Sequence, residues 1–527
     1  MARSDLGAAT CRTGTTVCPY CGTGCCILFH GSSAFPCVHR RVSQGALCLR
    51  GWSAAELFWS PRRLTSASAR ARGGGRPSAL PVAEALELAA GRLRDIRDRW
   101  GGAAIGLLGS ARVTVEECRL LARLARALGT PHLDSLQRLG YAPVSSLGLD
   151  DLEAAARVTV LAANLTVRQA QAGRRVVRAI ERGARVRFVH SRRVQLAALA
   201  AETVHTLPGH ELEALCDPDP AEVVVTTTEC ALSGQGGPLL RALAARRAVL
   251  LADYVNQRGM VEAGIRPRPE GLSAFEMLQH AAAGRLKALV VCADDPFEFF
   301  PALAAEAFAR AELTVVLDAV RTPTAERADV VLPGALLAEK EGHVVSFDGR
   351  TREVAAVQAP PAGWTEGRLI ERLAALVGGP FEDPPAPAPP ATGPDLPAAE
   401  RASEAFPFVA ALDTVPFWST HALTGSSVTA WREARTVFAD FPPGYVTLNP
   451  DDARALRVGF GGDVRVVSSA GGVTLPARTH PRMLPGTVWV PMRAWERVGG
   501  RLGALELDPG LRIPVFRPRA VRVSRPQ

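Results

Sequence analysis

Lysine is nearly absent from this chain. Of 61 basic residues only Lys287 and Lys340 are lysine, which leaves 59 arginines in an Ala-, Gly- and Pro-rich background. Such a bias reads as genome composition and not as a binding face. The net charge is 61 − 52 = +9, yet the arginines are mixed with acids, as in 95-DIRDR and 307-AFARAEL. No basic stripe forms, which excludes nucleic acid as the expected partner. Long apolar runs are also missing: segments such as 289-LVVCA and 313-LTVVLDAV have strand length, well short of the ~18 residues of a membrane span. The N-terminus has neither an apolar signal core nor a twin arginine, so a cytoplasmic protein is expected. No GxGxxG follows a strand, so a nicotinamide site is not supported. Eleven cysteines in 527 residues are too few for a disulfide scaffold.

What is present is a globular composition, with 47% hydrophobic and 21% charged residues, and a length that at ~150 residues per domain predicts three or four domains. The cysteines are placed unevenly. Seven lie in the first 48 residues: Cys11, Cys18, Cys21, Cys25, Cys26, Cys37 and Cys48. Cys118, Cys216, Cys230 and Cys292 are scattered, mostly in apolar surroundings, and read as small hydrophobes.

Cys18, Cys21, Cys25 and Cys48 form C-x2-C-x3-C followed by a distant fourth cysteine. Pro19, Gly22 and Gly24 permit the tight backbone that turns the first three thiols toward one centre. Three close thiolates and one closing ligand suit a cubane [4Fe–4S] cluster. A structural zinc site is the alternative, although its usual second CxxC is missing. Cys26 and Cys37 are spare thiols that could stand in for Cys25 or Cys48. His30 and His39 read as surface residues or neighbours of the site.

The phrase CPYCGTGC at 18–25 and the closing 45-GALCLRG resemble the N-terminal segment of the molybdopterin oxidoreductase superfamily, close to formate dehydrogenase α subunits. The resemblance implies that Arg50, two places after the last cysteine, lies between cluster and pterin. It continues through 104-AIGLLGS with a following helix capped by Thr114, then alternating strands and helices, TPTAERADVVLPG, and the β-rich C-terminus. The expected architecture is α/β: a [4Fe–4S] domain at 12–65, parallel-sheet domains at 66–217 and 218–375, a Pro/Ala-rich linker at 376–410 and a β-barrel at 411–527, resembling a molybdopterin dinucleotide-binding domain. The implied cofactors are a [4Fe–4S] cluster and molybdopterin guanine dinucleotide with Mo or W.

The sequence departs from that pattern where the metal ligand belongs. The family's Cys or selenocysteine followed by His falls on Gly140 and Tyr141 within 134-DSLQRLGYAP. Of the pterin-contact phrases, 162-AAN keeps Asn164, 190-HSR keeps Arg192 and 208-PGHE keeps Gly209, while a His after the VP phrase stands as Arg493. The resemblance therefore implies an iron–sulfur redox protein, a subunit of a multi-subunit oxidoreductase, without intact formate dehydrogenase chemistry. The alternative is a non-catalytic electron-transfer or scaffold subunit similar to the large iron–sulfur subunit of NADH–quinone oxidoreductase. Expected partners are flavoprotein, ferredoxin-like or membrane quinone-reducing subunits, which could hold the chain at the inner face of a membrane.

Overall fold

Three short antiparallel strands, Gly14–Val17, Cys26–His30 and Ser33–Pro36, open the fold. Their inward side chains Val17, Ile27, Phe29 and Ala34 are buried, and Phe29 meets the edge of Phe58 at 5.1 Å between ring centres. The computed structural model describes residues 13–38, 42–70, 75–145, 147–383, 394–413, 444–459, 461–491 and 494–526.

The body holds two mainly parallel sheets. The larger has seven strands in the spatial order Ser78–Leu80, Ala67–Ala69, Val330–Pro333, Leu313–Asp318, Ala288–Cys292, Ile105–Leu108 and Leu133–Asp134. Its central strands are unbroken apolar runs because helices cover both faces. The second sheet runs Glu202–His205, Arg185–His190, Arg157–Leu161, Glu222–Thr226 and Ala248–Leu250, all parallel. The sheets interleave along the chain: residues 67–134 and 288–333 build one, and residues 157–250 the other. The expected boundary at 217/218 thus falls inside a single sheet. Strand-helix alternation signals parallel pairing but not which sheet a strand joins.

The helix Val115–Leu128 starts as the sequence predicts. Thr114 Oγ1 accepts from Glu117 N at 3.2 Å, and Glu117 reaches back to Thr114 N at 2.9 Å. Glu117 also pairs with the buried Lys340, whose other partner is Glu366 at the start of the helix Glu366–Val377.

The C-terminal unit is a closed barrel of Phe408–Asp413, Thr487–Pro491, Val446–Leu448, Gly472–Thr479, Asp463–Val467 and Arg519–Ser524. Its first strand begins within the stretch whose composition reads as linker. Residues 394–400 of that stretch are also tied down: Asp395 pairs with Arg241, and the Ala398 carbonyl accepts from Arg517 at 3.2 Å. Local composition does not register such long-range partners. Among the described residues no helix is long and apolar enough to cross a membrane.

Candidate functional site

The turn joining the first two strands carries Cys18, Cys21 and Cys25. Cys18 N donates to the Cys25 carbonyl at 2.8 Å, and Gly24, at φ 65°, lets the chain reverse. Gly22 N donates to the Ala252 carbonyl at 3.0 Å, and a Cβ at Gly22 would lie 2.4 Å from that of Ala252. The cysteine turn is therefore seated on the end of the five-stranded sheet. Cys48 approaches from the N-terminus of the short helix Leu49–Trp52.

Cys18, Cys21 and Cys25 are buried and Cys48 is half-buried. The four thiols lie within electrostatic reach of one another. Burial first, then Cys48 and Cys21, pushes the Cys18 thiol well up; burial and the other three do the same to Cys25. Burial alone would lower the buried guanidinium of Arg50, but Cys21, Cys48 and Cys18 outweigh it and raise it. Among the described residues no three His, Cys, Asp or Glu side chains converge on a point suited to a single metal ion. The donor set is four sulfurs, three of them buried, beside one compensating guanidinium.

Arg50 Nη2 donates to the Arg168 carbonyl at 2.6 Å. Arg168 in turn grips Asp253 with two hydrogen bonds, at 3.2 and 2.7 Å, and Thr228 Oγ1 donates to the same carboxylate at 2.7 Å. Asp253 N donates to Gln257 Oε1 at 2.8 Å, and Gln257 Nε2 donates to the carbonyls of Gln137 and Arg138 at 2.7 and 2.9 Å. A buried polar chain thus joins the thiols to residues 137–138. Sequence reasoning missed Arg168, Asp253 and Gln257. The available signal was Asp253 at the carboxyl end of the apolar run AVLLAD, where open parallel sheets place polar site residues.

In the five-stranded sheet the chain order reverses between Arg157–Leu161 and Glu222–Thr226, the kind of switch point at whose carboxyl ends open parallel sheets bind ligands. Ala162, just past the first of these strands, has φ 43°, uncommon for a residue with a Cβ. Asn164 lies just past the end of Arg157–Leu161, and Arg192 just past the end of the neighbouring Arg185–His190. Asn164 Oδ1, His190 Nε2 and Arg192 Nε are buried without a hydrogen-bond partner among the described residues. The rest of the Arg192 guanidinium is engaged by Glu229 and Asp413, and it stacks 4.6 Å from the Trp489 ring centre. A Cβ at Gly209 would meet Ala399 at 2.4 Å and Pro518 at 3.0 Å, so that backbone faces protein. Arg493 and His39 lie outside the described residues. His30 is exposed and bonded to Thr13 at 2.7 Å.

The surroundings of Gly140, where the resemblance puts the metal ligand, are tightly packed. Leu139 and Gly140 both adopt left-handed backbone, at φ 46° and 74°. A Cβ on Gly140 would lie 2.7 Å from both Ala231 Cβ and Ile513 Cδ1. The adjoining cavity, lined by Leu139, Phe300, Trp495 and Ile513 among others, has about 10 Å³, room for about one water. The Tyr141 hydroxyl is buried 3.4 Å from the Phe347 carbonyl, and burial pushes its pKa up, so it stays protonated. Arg138 is held by Asp134 and donates to the Leu511 and Arg512 carbonyls at 2.6 and 3.0 Å. Gly140 and its neighbours do not fit a molybdenum or tungsten ligated by the protein at this position, whereas the unpartnered polar atoms past the strand ends fit a polar cofactor tail.

A family model described as molybdopterin oxidoreductase matches residues 223–364, and one described as molydopterin dinucleotide binding domain matches residues 422–515. The chain is similar to the NADPH-Fe(3+) oxidoreductase subunit alpha of Geobacter sulfurreducens, 23% identical over 91% of this chain and 71% of that one. It is also similar to the F420-dependent formate dehydrogenase 2 subunit alpha of Methanococcus maripaludis, 22% identical over 97% of this chain and 99% of that one. Among solved structures, acetylene hydratase from Pelobacter acetylenicus shares the fold with a TM-score of 0.69 at 14% identity, covering 97% of this chain and all of that one.

Proposed function

The chain belongs to the molybdopterin oxidoreductase superfamily, and from that premise we propose that it is an electron-transfer subunit of a multi-subunit oxidoreductase. Its redox centre is a [4Fe–4S] cluster on Cys18, Cys21, Cys25 and Cys48. The carrying observation is the gathering of four thiols around one buried guanidinium, Arg50. When bound, such a cluster supplies a one-electron relay. The chain's own part is to hold it in a mostly dry turn, to offset its negative charge with Arg50 and to anchor that arginine on the Arg168 backbone. Gly140 and its packed surroundings argue against formate oxidation by this chain alone.

Exposed apolar side chains crowd the same segment: Phe35, Val38, Leu49, Trp52 and Trp59. Leu49 directly follows Cys48, the least buried of the proposed ligands. An apolar face beside the relay supports docking of a second redox subunit there.

A second reading keeps a molybdopterin dinucleotide, held past the carboxyl ends of the five-stranded sheet by Asn164 and Arg192; the buried unpartnered atoms there and the match at 422–515 favour it. Metal analysis and EPR of protein purified without oxygen separate the two. Iron at about four per chain with a reduced-state EPR signal, and neither molybdenum nor tungsten, is the expected result. Stoichiometric molybdopterin with metal would replace the first reading by the second. Cys18→Ala and Cys48→Ala should each lose iron and the signal; retention of both in either variant would show that the ligand set is wrong.

A further inference from the structure

Two of the N-terminal thiols left over from the proposed cluster, Cys26 and Cys37, are in contact with each other. Cys26 opens the strand Cys26–His30 and Cys37 directly follows the strand Ser33–Pro36. The register pairs Ile27 with Pro36, so Cys26 and Cys37 stand opposite one another at the open end of the hairpin. Their sulfurs are 2.6 Å apart, about half an ångström beyond the ~2.05 Å of a bonded pair. Both side chains are half-exposed. Cys118, Cys230 and Cys292, by contrast, are buried in the sheets and helices of the body, while Cys216, expected to be buried with them, is exposed and far from this hairpin in sequence.

We propose that Cys26 and Cys37 form a reversible disulfide that clasps the hairpin behind the cysteine turn. The oxidant is a low-molecular-weight disulfide. One cysteine thiolate attacks it, releasing one small thiol and leaving a mixed disulfide. The second cysteine then displaces the other small thiol and closes the Cys26–Cys37 bond. Two electrons pass to the small disulfide, its S–S bond breaks, and the two protein protons leave on the released thiols.

With the bond open, the backbone pairing at this end is a long hydrogen bond, Cys37 N to the Cys26 carbonyl at 3.5 Å. With it closed, Cys25, one residue before Cys26, is tied to Cys37, whose carbonyl accepts from Ser43 Oγ, while the Ser43 carbonyl accepts from Arg174. The oxidation state of the solution then sets how firmly the ligand turn is held. That consequence rests on the cluster reading above; formation of the bond does not.

The test equilibrates the full iron-loaded chain, without oxygen, across a series of glutathione to glutathione disulfide ratios. Alkylation then quenches the thiols, and non-reduced peptides are mapped by mass spectrometry. The expected result is a 26–37 linked peptide appearing in one two-electron transition. It should be lost in Cys26→Ser and in Cys37→Ser, both of which keep wild-type iron. Alkylation of both thiols across the whole series in folded, iron-loaded protein would overturn the clasp. So would loss of iron in Cys26→Ser, which would make Cys26 a ligand. If the linkage forms while Cys18→Ala and Cys48→Ala keep their iron, the cluster reading fails and the clasp stands.

Discussion

At Gly140 the absence of a side chain is a packing requirement as much as a missing ligand. Its φ of 74° and the 2.7 Å approaches to Ala231 and Ile513 leave no place for a Cβ. Gly140→Cys, which restores the sulfur that the family pattern carries, should therefore not restore a metal site. Overpacking of about 1–3 kcal/mol and left-handed strain of about 1 kcal/mol predict a lower urea midpoint and no gained molybdenum. A variant as stable as the parent that acquires metal would show that the closure at 511–513 yields to a ligand. Residue identity made part of this legible: Gly140, Tyr141 and the cysteine spacing are visible in the sequence. The closure was not, because Ala231 and Ile513 are distant in sequence and their approach depends on how the barrel unit docks.

At the scale of the element, strands and caps read out well, and the site residues on strand ends did not. The Thr114 cap and the unbroken runs at 105–108, 288–292 and 313–318 follow from local pattern. That neighbouring strands end in carboxylates facing a shared space becomes visible only once the sheet order is known. Asp294 and Asp295 follow one strand and Asp318 ends its neighbour. Burial pushes their pKa values up to about 6, 7 and 7, only partly offset by hydrogen bonds and Arg112. A carboxyl whose folded pKa exceeds its unfolded value binds its proton more tightly in the native state. Its contribution to stability is fully present below the unfolded pKa, about 3.9, and is lost as pH rises through the folded value near 7. Asp318→Asn should therefore flatten the fall in urea midpoint between pH 5 and pH 8. An unchanged slope would mean that Asp318 is ionised throughout that range in the native protein.

Across the whole molecule, the barrel unit closes onto the sheets at residues whose pairing no local pattern signals. Trp495 is fully buried, stacks on Phe300 at 4.9 Å and donates from Nε1 to the Phe299 carbonyl at 2.6 Å. Beside it Glu496 accepts from Ala302 N and Leu303 N at 2.9 and 2.7 Å, at the start of the helix Pro301–Arg310 where an acid is favoured. The Arg192–Asp413 pair and the Arg138 bonds to the 511–512 carbonyls make the same junction elsewhere. Because these contacts join separately wound units, weakening one should loosen the junction before it melts either unit. Trp495→Ala removes a large buried ring, a change worth about 3–5 kcal/mol. Hydrogen exchange should then quicken first at residues 296–303 and 494–516, with the strands Ile105–Leu108 and Leu313–Asp318 keeping parental protection. Uniform acceleration through the seven-stranded sheet would instead mean that barrel and body unfold as one cooperative unit, and that residue 140 is sealed by global stability and not by a separable closure.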